Sequence, residues 1–343
     1  MLMKYYKTFH DKYVNKECKL LIVDNKSSYP LLNLNLDRFI ELDRDKVCAF
    51  DLEFSQKGGR KIAIMQLALH FDNEIIILFI NPLTLDNESN NKVKTILTDM
   101  KTIKIGHGTD SLDIPELFKY LENDKSRVQF IRKLYDTRFM CEYVKALTDD
   151  KLCNIYKSMK DFTVIDNKQI NFLIENEKKL GERWWYDLKI TNLTPEIIDY
   201  AMYDALYLKK LLKNLKMESE KQKLDYNLLL EVGRYCILVQ RDVFPVINGN
   251  NYNTLRIYDD NMSTIYDTAF ELCYDKIPLS YKKIFAFGYF KNKLQPITRL
   301  CFYRVMLQED KNIIGQYELM IKSMFLFPSI IIMIQNIALI LSK

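Results

Sequence analysis

Two carboxylates stand one residue apart at the end of an apolar run: Asp51 and Glu53, in residues 46–54. In an extended strand alternate side chains share a face, so both acids point the same way while Leu52 points into the core. Two like charges this close repel unless a cation lies between them, and carboxylate oxygens favour Mg²⁺ or Mn²⁺ over zinc. An Asp-x-Glu pair by itself is more often a solvated strand end, so the partners of these two acids decide the interpretation.

A helix near residue 195 supplies a third carboxylate and a phenol. Thr194 can cap this helix and Pro195 suits its first turn, and the pattern predicts that it runs to about residue 216. Tyr200 and Asp204 lie four residues apart, which is about one turn, so they project from the same face.

A fourth carboxylate follows the strand predicted over residues 102–107, where Asp110 and Asp113 compete for the role. Asp113 precedes Ile114 and Leu117, which places it at the start of a helix with an apolar face behind it. Asp110 sits in the turn and can act as a cap. We favour Asp113, with Asp110 as the alternative.

Five short motifs together resemble a known family. They are Asp51-Leu52-Glu53, Met65-Gln66-Leu67, His107-Gly108 with Asp113-Ile114, Asp136-Thr137, and Tyr200-Ala201-x-x-Asp204. Their order is similar to that of ribonuclease D and Werner-type 3′-5′ exonucleases, the tyrosine-bearing (DEDDy) subclass of the DEDD superfamily. The resemblance covers roughly residues 20–215 and is specific, since separately placed motifs agree in type, order and context.

The resemblance implies an α/β fold, an RNase-H-like mixed β-sheet flanked by helices. It also implies two-metal hydrolysis of terminal phosphodiester bonds with release of nucleoside monophosphates. Asp51, Glu53, Asp113 and Asp204 would hold two divalent cations, Mg²⁺ or Mn²⁺, and Tyr200 would orient the attacking water. The expected partner is the single-stranded 3′ end of DNA or RNA, between which the sequence does not choose. A catalytically silent nucleic-acid-binding adaptor on the same fold is the alternative.

Composition is compatible with these expectations. The 343 residues carry 50 basic and 45 acidic side chains, a net charge of +5 that permits a nucleic-acid partner without requiring one. Seven scattered cysteines without a Cys-x-x-Cys pair predict reduced thiols, with neither a disulfide nor a zinc site, in an intracellular protein of the nucleus or cytoplasm.

Composition and hydrophobic pattern divide the chain into three regions. Residues 1–216 form the predicted exonuclease domain, whose polar, Asn- and Lys-rich segment 161–182 reads as an insertion or mobile loop. Residues 217–322 are predicted to be mostly helical, basic and aromatic. Residues 323–342 form a hydrophobic tail that is long enough for a membrane anchor, but Pro328, Gln335 and Asn336 favour a buried carboxyl-terminal helix or strand pair over an anchor.

Two further sets of residues could contact nucleic acid. Residues 276–304 hold cations interleaved with aromatic rings and no acid, which is typical of single-strand binding as well as of an ordinary core with solvated lysines; the candidate phosphate contacts are Lys282, Lys283, Lys291 and Lys293. Trp184 and Trp185 could stack on a terminal base, although burial behind the Tyr200 helix is favoured. His107 is expected to be a hydrogen-bonded turn residue.

Overall fold

The computed structural model describes residues 4–109, 112–123, 126, 129–130, 133–145 and 152–222. Several expectations fall outside these residues: those on Asp110, on Lys282, Lys283, Lys291 and Lys293, on the helical region beyond residue 222, and on the tail 323–342. Within the described ranges no helix is both long and apolar enough to cross a bilayer.

Seven strands form one mixed sheet. They are β1 Lys7–Asp11, β2 Lys16–Ile22, β3 Lys46–Ser55, β4 Lys61–His70, β5 Glu74–Ile80, β6 Thr102–Gly106 and β7 Leu134–Asp136, in the order β1-β2-β5-β4-β3-β6-β7. β4 runs antiparallel to β3 and β5, whereas β6 is parallel to β3 and to β7. The order β5-β4-β3-β6-β7 with β4 reversed is the RNase-H-like arrangement, and the predicted fold class is confirmed.

The described part of the chain contains eight α-helices. They are α1 Tyr29–Ile40, α2 Asn87–Thr98, α3 Asp113–Leu121, α4 Thr137–Val144, α5 Ile155–Asp161, α6 Asn167–Lys179, α7 Pro195–Leu206 and α8 Leu208–Lys221. α7 packs on β3 and β4, and α6 packs on α7. β4 and β5 are buried along almost their whole length, which is the pattern of central strands covered on both faces.

Three consecutive strands, β3, β4 and β5, form an antiparallel meander. Its first turn holds Gly58 and Gly59, whose φ angles of 75° and 98° lie in the left-handed region that glycine adopts without strain. The sheet, helices α1–α3 and α5–α7 and most of α8 belong to one compact unit, residues 1–138 and 154–218, whereas most of α4 belongs to a second unit.

The amino-terminal hairpin of β1 and β2 fixes the join between α7 and α8. Sequence reasoning missed β1, and it predicted one helix where the structure has two, separated at Tyr207. The Tyr207 hydroxyl donates to Asp11 Oδ2 over 2.8 Å, and Asp11 Oδ1 accepts from the amides of Tyr13 and Val14. These contacts anchor the carboxyl end of α7 against the hairpin.

The segment 161–182, expected to be an insertion or a mobile loop, contains helix α6, so the loop alternative was wrong, while the insertion alternative stays a prediction. Asp166 caps the helix by accepting from the Gln169 amide, and Ile170 and Leu173 are buried. Asn176 donates its side-chain amide to the Glu196 carbonyl over 2.9 Å, which ties α6 to the first turn of α7. The segment is polar overall, and its helix is stabilised by packing on α7.

The expectation that no disulfide is present was also wrong. Cys141 and Cys153 form a disulfide across a sequence separation of 12 residues, which spacing alone could not distinguish from two separate thiols. Cys18 and Cys48 are free and buried, and burial raises the pKa of each thiol to about 12.

Candidate metal-binding and catalytic site

The site lies where β3 extends beyond its pairing with β6. β3 pairs with β6 only as far as Ala49, opposite Ile105, so Asp51 and Glu53 lie beyond the end of that ladder. On the other side Asp51 faces Gln66 of β4, and the register of β3 and β4 shifts directly after Glu53. Such irregularities re-aim side chains at strand ends, and here one occurs at the second acid of the pair.

Three carboxylates meet at this strand end. Asp51, Glu53 and Asp204 each place one carboxylate oxygen within 4.8 Å of the others. Glu53 is 9% exposed and Asp204 is 7% exposed, and in the part of the chain that is described none of the three pairs with a lysine or arginine. The same-face prediction for Asp51 and Glu53 is therefore consistent with the structure, and α7 adds Asp204 by packing on β3 and β4.

The three acids repel one another and are poorly hydrated. Burial raises the pKa of Asp51 to about 7. Burial, and then the charges of Asp51 and Asp204, raise the pKa of Glu53 well above its usual range. Burial and the charge of Asp51 likewise raise the pKa of Asp204, against which a hydrogen bond from Tyr200 acts. A bound cation would reverse all of these shifts, because it favours the charged form of each acid.

Asp113 lies beside this cluster. It is the first residue of α3, it is 8% exposed, and its charge is among those that raise the pKa of Glu53. It is not one of the three acids whose oxygens fall within 4.8 Å of one another. The predicted set of four acids thus occupies one region, with Asp113 at its margin.

Asp136 stabilises the turn that precedes Asp113. One of its carboxylate oxygens accepts from the Gly108 and Arg138 amides at 2.9 and 2.8 Å, and the other accepts from the Thr109 amide and hydroxyl at 2.7 and 2.8 Å. The Thr109 carbonyl in turn accepts from the Ile114 amide over 3.0 Å. This chain of hydrogen bonds links the end of β7 to the first turn of α3.

The same turn requires a close approach of backbone and side chains. A Cβ added at Gly106 would lie 2.2 Å from Thr109 Cγ2, so only glycine fits there. His107 Nδ1 lies 2.9 Å from Thr137 Oγ1, which itself donates to the Gly106 carbonyl. The expectation that His107 is a hydrogen-bonded turn residue is confirmed.

Tyr200 lies one turn before Asp204 on α7, whose predicted cap is confirmed: the Thr194 side chain accepts from the Ile197 amide and Pro195 opens the helix. The charge of Asp204 is the largest of the effects that raise the Tyr200 pKa, followed by burial, so the phenol stays protonated at neutral pH. The Trp184 ring meets the Tyr200 ring edge-on at 5.4 Å between centroids.

The expected burial of both tryptophans was wrong for Trp185, which is 39% exposed. Trp184 is half-buried. The reason lies in the next residue: the Tyr186 carbonyl accepts from the Gln56 and Lys57 amides of the β3–β4 hairpin at 3.1 and 2.8 Å, which holds this loop at the surface.

Two residues near the cluster were missed by sequence reasoning. Tyr156 of α5 has its pKa raised by burial and then by the charges of Asp204 and Glu177, and Glu177 of α6 is also among the charges that raise the Asp204 pKa. Glu177 belongs to the segment expected to be a loop. The capping Asp166 before Ile170 and Leu173 was the signal that could have placed it on a helix.

The donor set fits a hard divalent cation. All candidate ligand atoms are carboxylate oxygens, which Mg²⁺ and Mn²⁺ prefer. Asp204 Oδ1 is buried and has no hydrogen-bond partner among the described residues, a costly state for an isolated acceptor. A cation at this position would satisfy that oxygen and offset the repulsion among the three acids.

Comparison with known proteins gives limited likenesses. No family model matches the chain. The uncharacterized protein L533 of Acanthamoeba polyphaga mimivirus is 35% identical over 175 residues, which cover 46% of this chain and 34% of that protein. The chain therefore spans about a third of the length of this curated relative.

Solved structures similar to the chain include three nucleases. Trypanosoma brucei RNase D in complex with GMP is 14% identical to this chain with a TM-score of 0.44. The aligned region covers 63% of this chain and 61% of the RNase D chain. The Aedes aegypti Nibbler EXO domain is 15% identical with a TM-score of 0.43, and the aligned region covers 62% of this chain and 93% of that domain. Brucella melitensis NrnC with bound Mg²⁺ is 14% identical with a TM-score of 0.41, and the aligned region covers 62% of this chain and 92% of the NrnC chain. Because these scores are low, the fold assignment comes from the strand order itself.

Proposed function

We propose that the chain is a metal-dependent 3′-5′ exonuclease of the tyrosine-bearing DEDD type, which hydrolyses terminal phosphodiester bonds of single-stranded DNA or RNA and releases nucleoside monophosphates. One observation carries the proposal: Asp51, Glu53 and Asp204 converge within 4.8 Å at the end of β3, with Tyr200 one helical turn before Asp204. The order of the five motifs in the sequence supports the same function.

Asp51, Glu53, Asp113 and Asp204 would hold two divalent cations, Mg²⁺ or Mn²⁺. When bound, such ions acidify the attacking water and stabilise the leaving 3′ oxygen. The contribution of the chain is to collect the acids on β3, α3 and α7, and among the described residues Asp51, Glu53 and Asp204 form no ion pair with a basic side chain. That arrangement keeps the carboxylate oxygens available for cations.

Tyr200 would position the attacking water by hydrogen bonding. Its raised pKa makes the phenol a donor at neutral pH and a poor general base. The edge-on contact with Trp184 restricts the ring, and Tyr200 lies on the same face of α7 as Asp204, one helical turn before it. Asp136 serves the site indirectly, because it holds the turn before Asp113.

The test is an assay of the purified chain with Mg²⁺, and separately with Mn²⁺, on single- and double-stranded DNA and RNA labelled at either end. We expect early release of a 3′ label and stepwise shortening of 5′-labelled strands. Asp51→Ala and Asp204→Ala should abolish both, whereas Asp43→Ala should not, since Asp43 is an almost fully exposed acid away from the cluster. A wild-type chain that binds nucleic acid without digesting it would identify the adaptor instead. Digestion that survives Asp204→Ala would rule out this site.

A further inference from the structure

The loop after α6 presents two aromatic side chains to solvent next to the candidate site. Trp185 is 39% exposed and Tyr186 is 52% exposed. The preceding residue, Trp184, contacts the ring of Tyr200. Trp185 and Tyr186 are therefore the two residues that directly follow a residue in contact with the candidate site. Single exposed aromatics are ordinary, but two consecutive ones beside a polar site form a local apolar surface.

This aromatic pair is held rigidly in place. The Tyr186 carbonyl accepts from the Ser55 hydroxyl at 3.2 Å as well as from the Gln56 and Lys57 amides. Lys57 Nζ also lies 2.8 Å from Asp187 Oδ2. Because the loop is tied to the hairpin that follows Glu53, a ligand bound on it would not have to order the loop first.

Cations exceed acids in two ion-pair clusters, one that includes the loop and one at the hairpin to which the loop is tied. Lys57 and Lys189 share the single carboxylate of Asp187, at 2.8 and 3.4 Å. On the same hairpin, Arg60 lies 3.6 Å from Glu116, a carboxylate that also pairs with Lys119. Each cluster therefore holds two cations to one acid, an excess of positive charge that complements phosphates.

Exposed rings beside surplus cations match the chemistry of single-stranded nucleic acid. Rings stack on bases of any sequence, and cations contact the phosphates between them. A protein partner would be expected to meet an apolar patch with fewer lysines at its centre. The continuity of the loop with Tyr200 places this surface where a strand whose terminal phosphodiester enters the acid cluster would lie.

We propose that Trp185 and Tyr186 form a stacking platform for the nucleobases of a single strand whose 3′ end is held at the acid cluster. The inference rests on the proposed function for the identity of that end. It adds specific base-contacting residues on this chain, outside the acids and Tyr200.

The test uses the fact that the chain has two tryptophans, both in this loop. The intrinsic tryptophan fluorescence of the full chain therefore reports on residues 184 and 185 alone. We expect a short single-stranded oligonucleotide to quench this fluorescence, with EDTA or with Ca²⁺ present to prevent digestion, and Trp185→Phe to remove most of the quenching while a labelled oligonucleotide still binds. Trp185→Ala should weaken binding about five- to 150-fold, the range of one base–ring stack.

Tyr6→Ala is the matched control, because Tyr6 is 57% exposed and precedes β1. It should leave binding unchanged, and thermal unfolding should show that every variant folds. An absence of quenching by the oligonucleotide in the wild-type chain, binding unaltered by Trp185→Ala, or an equal loss in Tyr6→Ala would each overturn the platform.

A small substrate separates this inference from the proposed function. Hydrolysis of the p-nitrophenyl ester of thymidine 5′-monophosphate with Mn²⁺ needs the acid cluster and offers no neighbouring base to stack. Trp185→Ala should retain this hydrolysis and lose oligonucleotide digestion at low substrate concentration. If the wild-type chain digests oligonucleotides but Trp185→Ala does so equally well, the platform fails and the exonuclease stands. If oligonucleotides quench the fluorescence but nothing is hydrolysed, the exonuclease fails and the platform stands.

Discussion

Two groups of acids lie at the same edge of the sheet, Asp136 by itself and the cluster of Asp51, Glu53 and Asp204, and their surroundings differ. The Asp136 carboxylate accepts four hydrogen bonds from Gly108, Thr109 and Arg138, so the protein itself supplies its partners. Asp51, Glu53 and Asp204 face one another, and Asp204 Oδ1 has no partner among the described residues. A buried acid that is fully satisfied supports the structure, whereas acids left to repel one another are suited to an external cation.

The largest expected difference between the two groups is in activity. Asp51→Asn or Asp204→Asn should lower Mg²⁺-dependent digestion by about a hundredfold or more, because each removes a charge that would hold a cation. The same changes should leave the metal-free protein as stable as before or more stable, since they remove repulsion. Activity assays and thermal unfolding in EDTA measure the two effects. Loss of stability in these variants would show that the cluster is structural.

Asp136→Asn should destabilise the protein, unlike the Asp51 and Asp204 variants. The amide nitrogen would face a backbone N–H that now donates to a carboxylate oxygen, which leaves buried donors unsatisfied and costs about 1–3 kcal/mol of unfolding free energy. Urea denaturation measures this loss, with Asp43→Asn as the exposed control. Activity should fall as well, because the turn before Asp113 loosens. An Asp136→Asn variant of unchanged stability would remove the distinction between the two groups.

Stability of the metal-free protein should depend on pH through the cluster. The Asp51 pKa is raised from 3.8 to about 7, so between these values the folded state keeps a proton that the unfolded state has released. Stability is therefore greatest below the lower value and falls as pH rises towards the upper one, by up to about 1.4 kcal/mol per pH unit for one such group. Unfolding temperatures in EDTA from pH 5 to pH 8 should fall less in Asp51→Asn than in wild type, and saturating Mg²⁺ should offset the fall. Parallel curves for the two proteins would contradict the assignment.

The smallest expected effect concerns Gln66, which is fully buried opposite Asp51. Its amide nitrogen lies 3.4 Å from Glu53 Oε1, a long hydrogen bond, while its own oxygen lacks a partner in the described part of the chain. Gln66→Leu should change the unfolding free energy by less than about 1 kcal/mol, because it removes a weak bond and an unsatisfied acceptor together. Activity should fall a few-fold as Glu53 loses orientation. The exposed Gln56→Leu is the control, and a large activity loss there would show that the effect is not specific.

The sequence predicted the parts of the site that follow from local rules. Alternation along β3 placed Asp51 and Glu53 on one face, and the Thr194-Pro195 cap set the phase of α7 that brings Tyr200 and Asp204 together. These features depend on residues within a few positions of each other, so they can be read from a single stretch of chain.

The parts that could not be predicted depend on contacts between distant segments. β1 is a short strand that gains its place by pairing with β2, and α6 is a polar helix fixed by its contacts with α7. The break between α7 and α8 falls at Tyr207, whose hydroxyl donates to Asp11, 196 residues earlier in the chain. The exposure of Trp185 follows from the tie between Tyr186 and the β3–β4 hairpin, which no local pattern encodes.

The most direct test of the proposed metal site is a calorimetric titration of the chain with Mn²⁺ at neutral pH, repeated in buffers of different ionisation enthalpy. We expect saturable binding with release of protons, because acids whose pKa values are raised in the metal-free protein must ionise to hold a cation. Asp204→Asn should remove that binding and the proton release, while Asp136→Asn should retain binding if it remains folded. Absence of binding, or binding that Asp204→Asn leaves unchanged, would contradict the claim that these acids form a metal site.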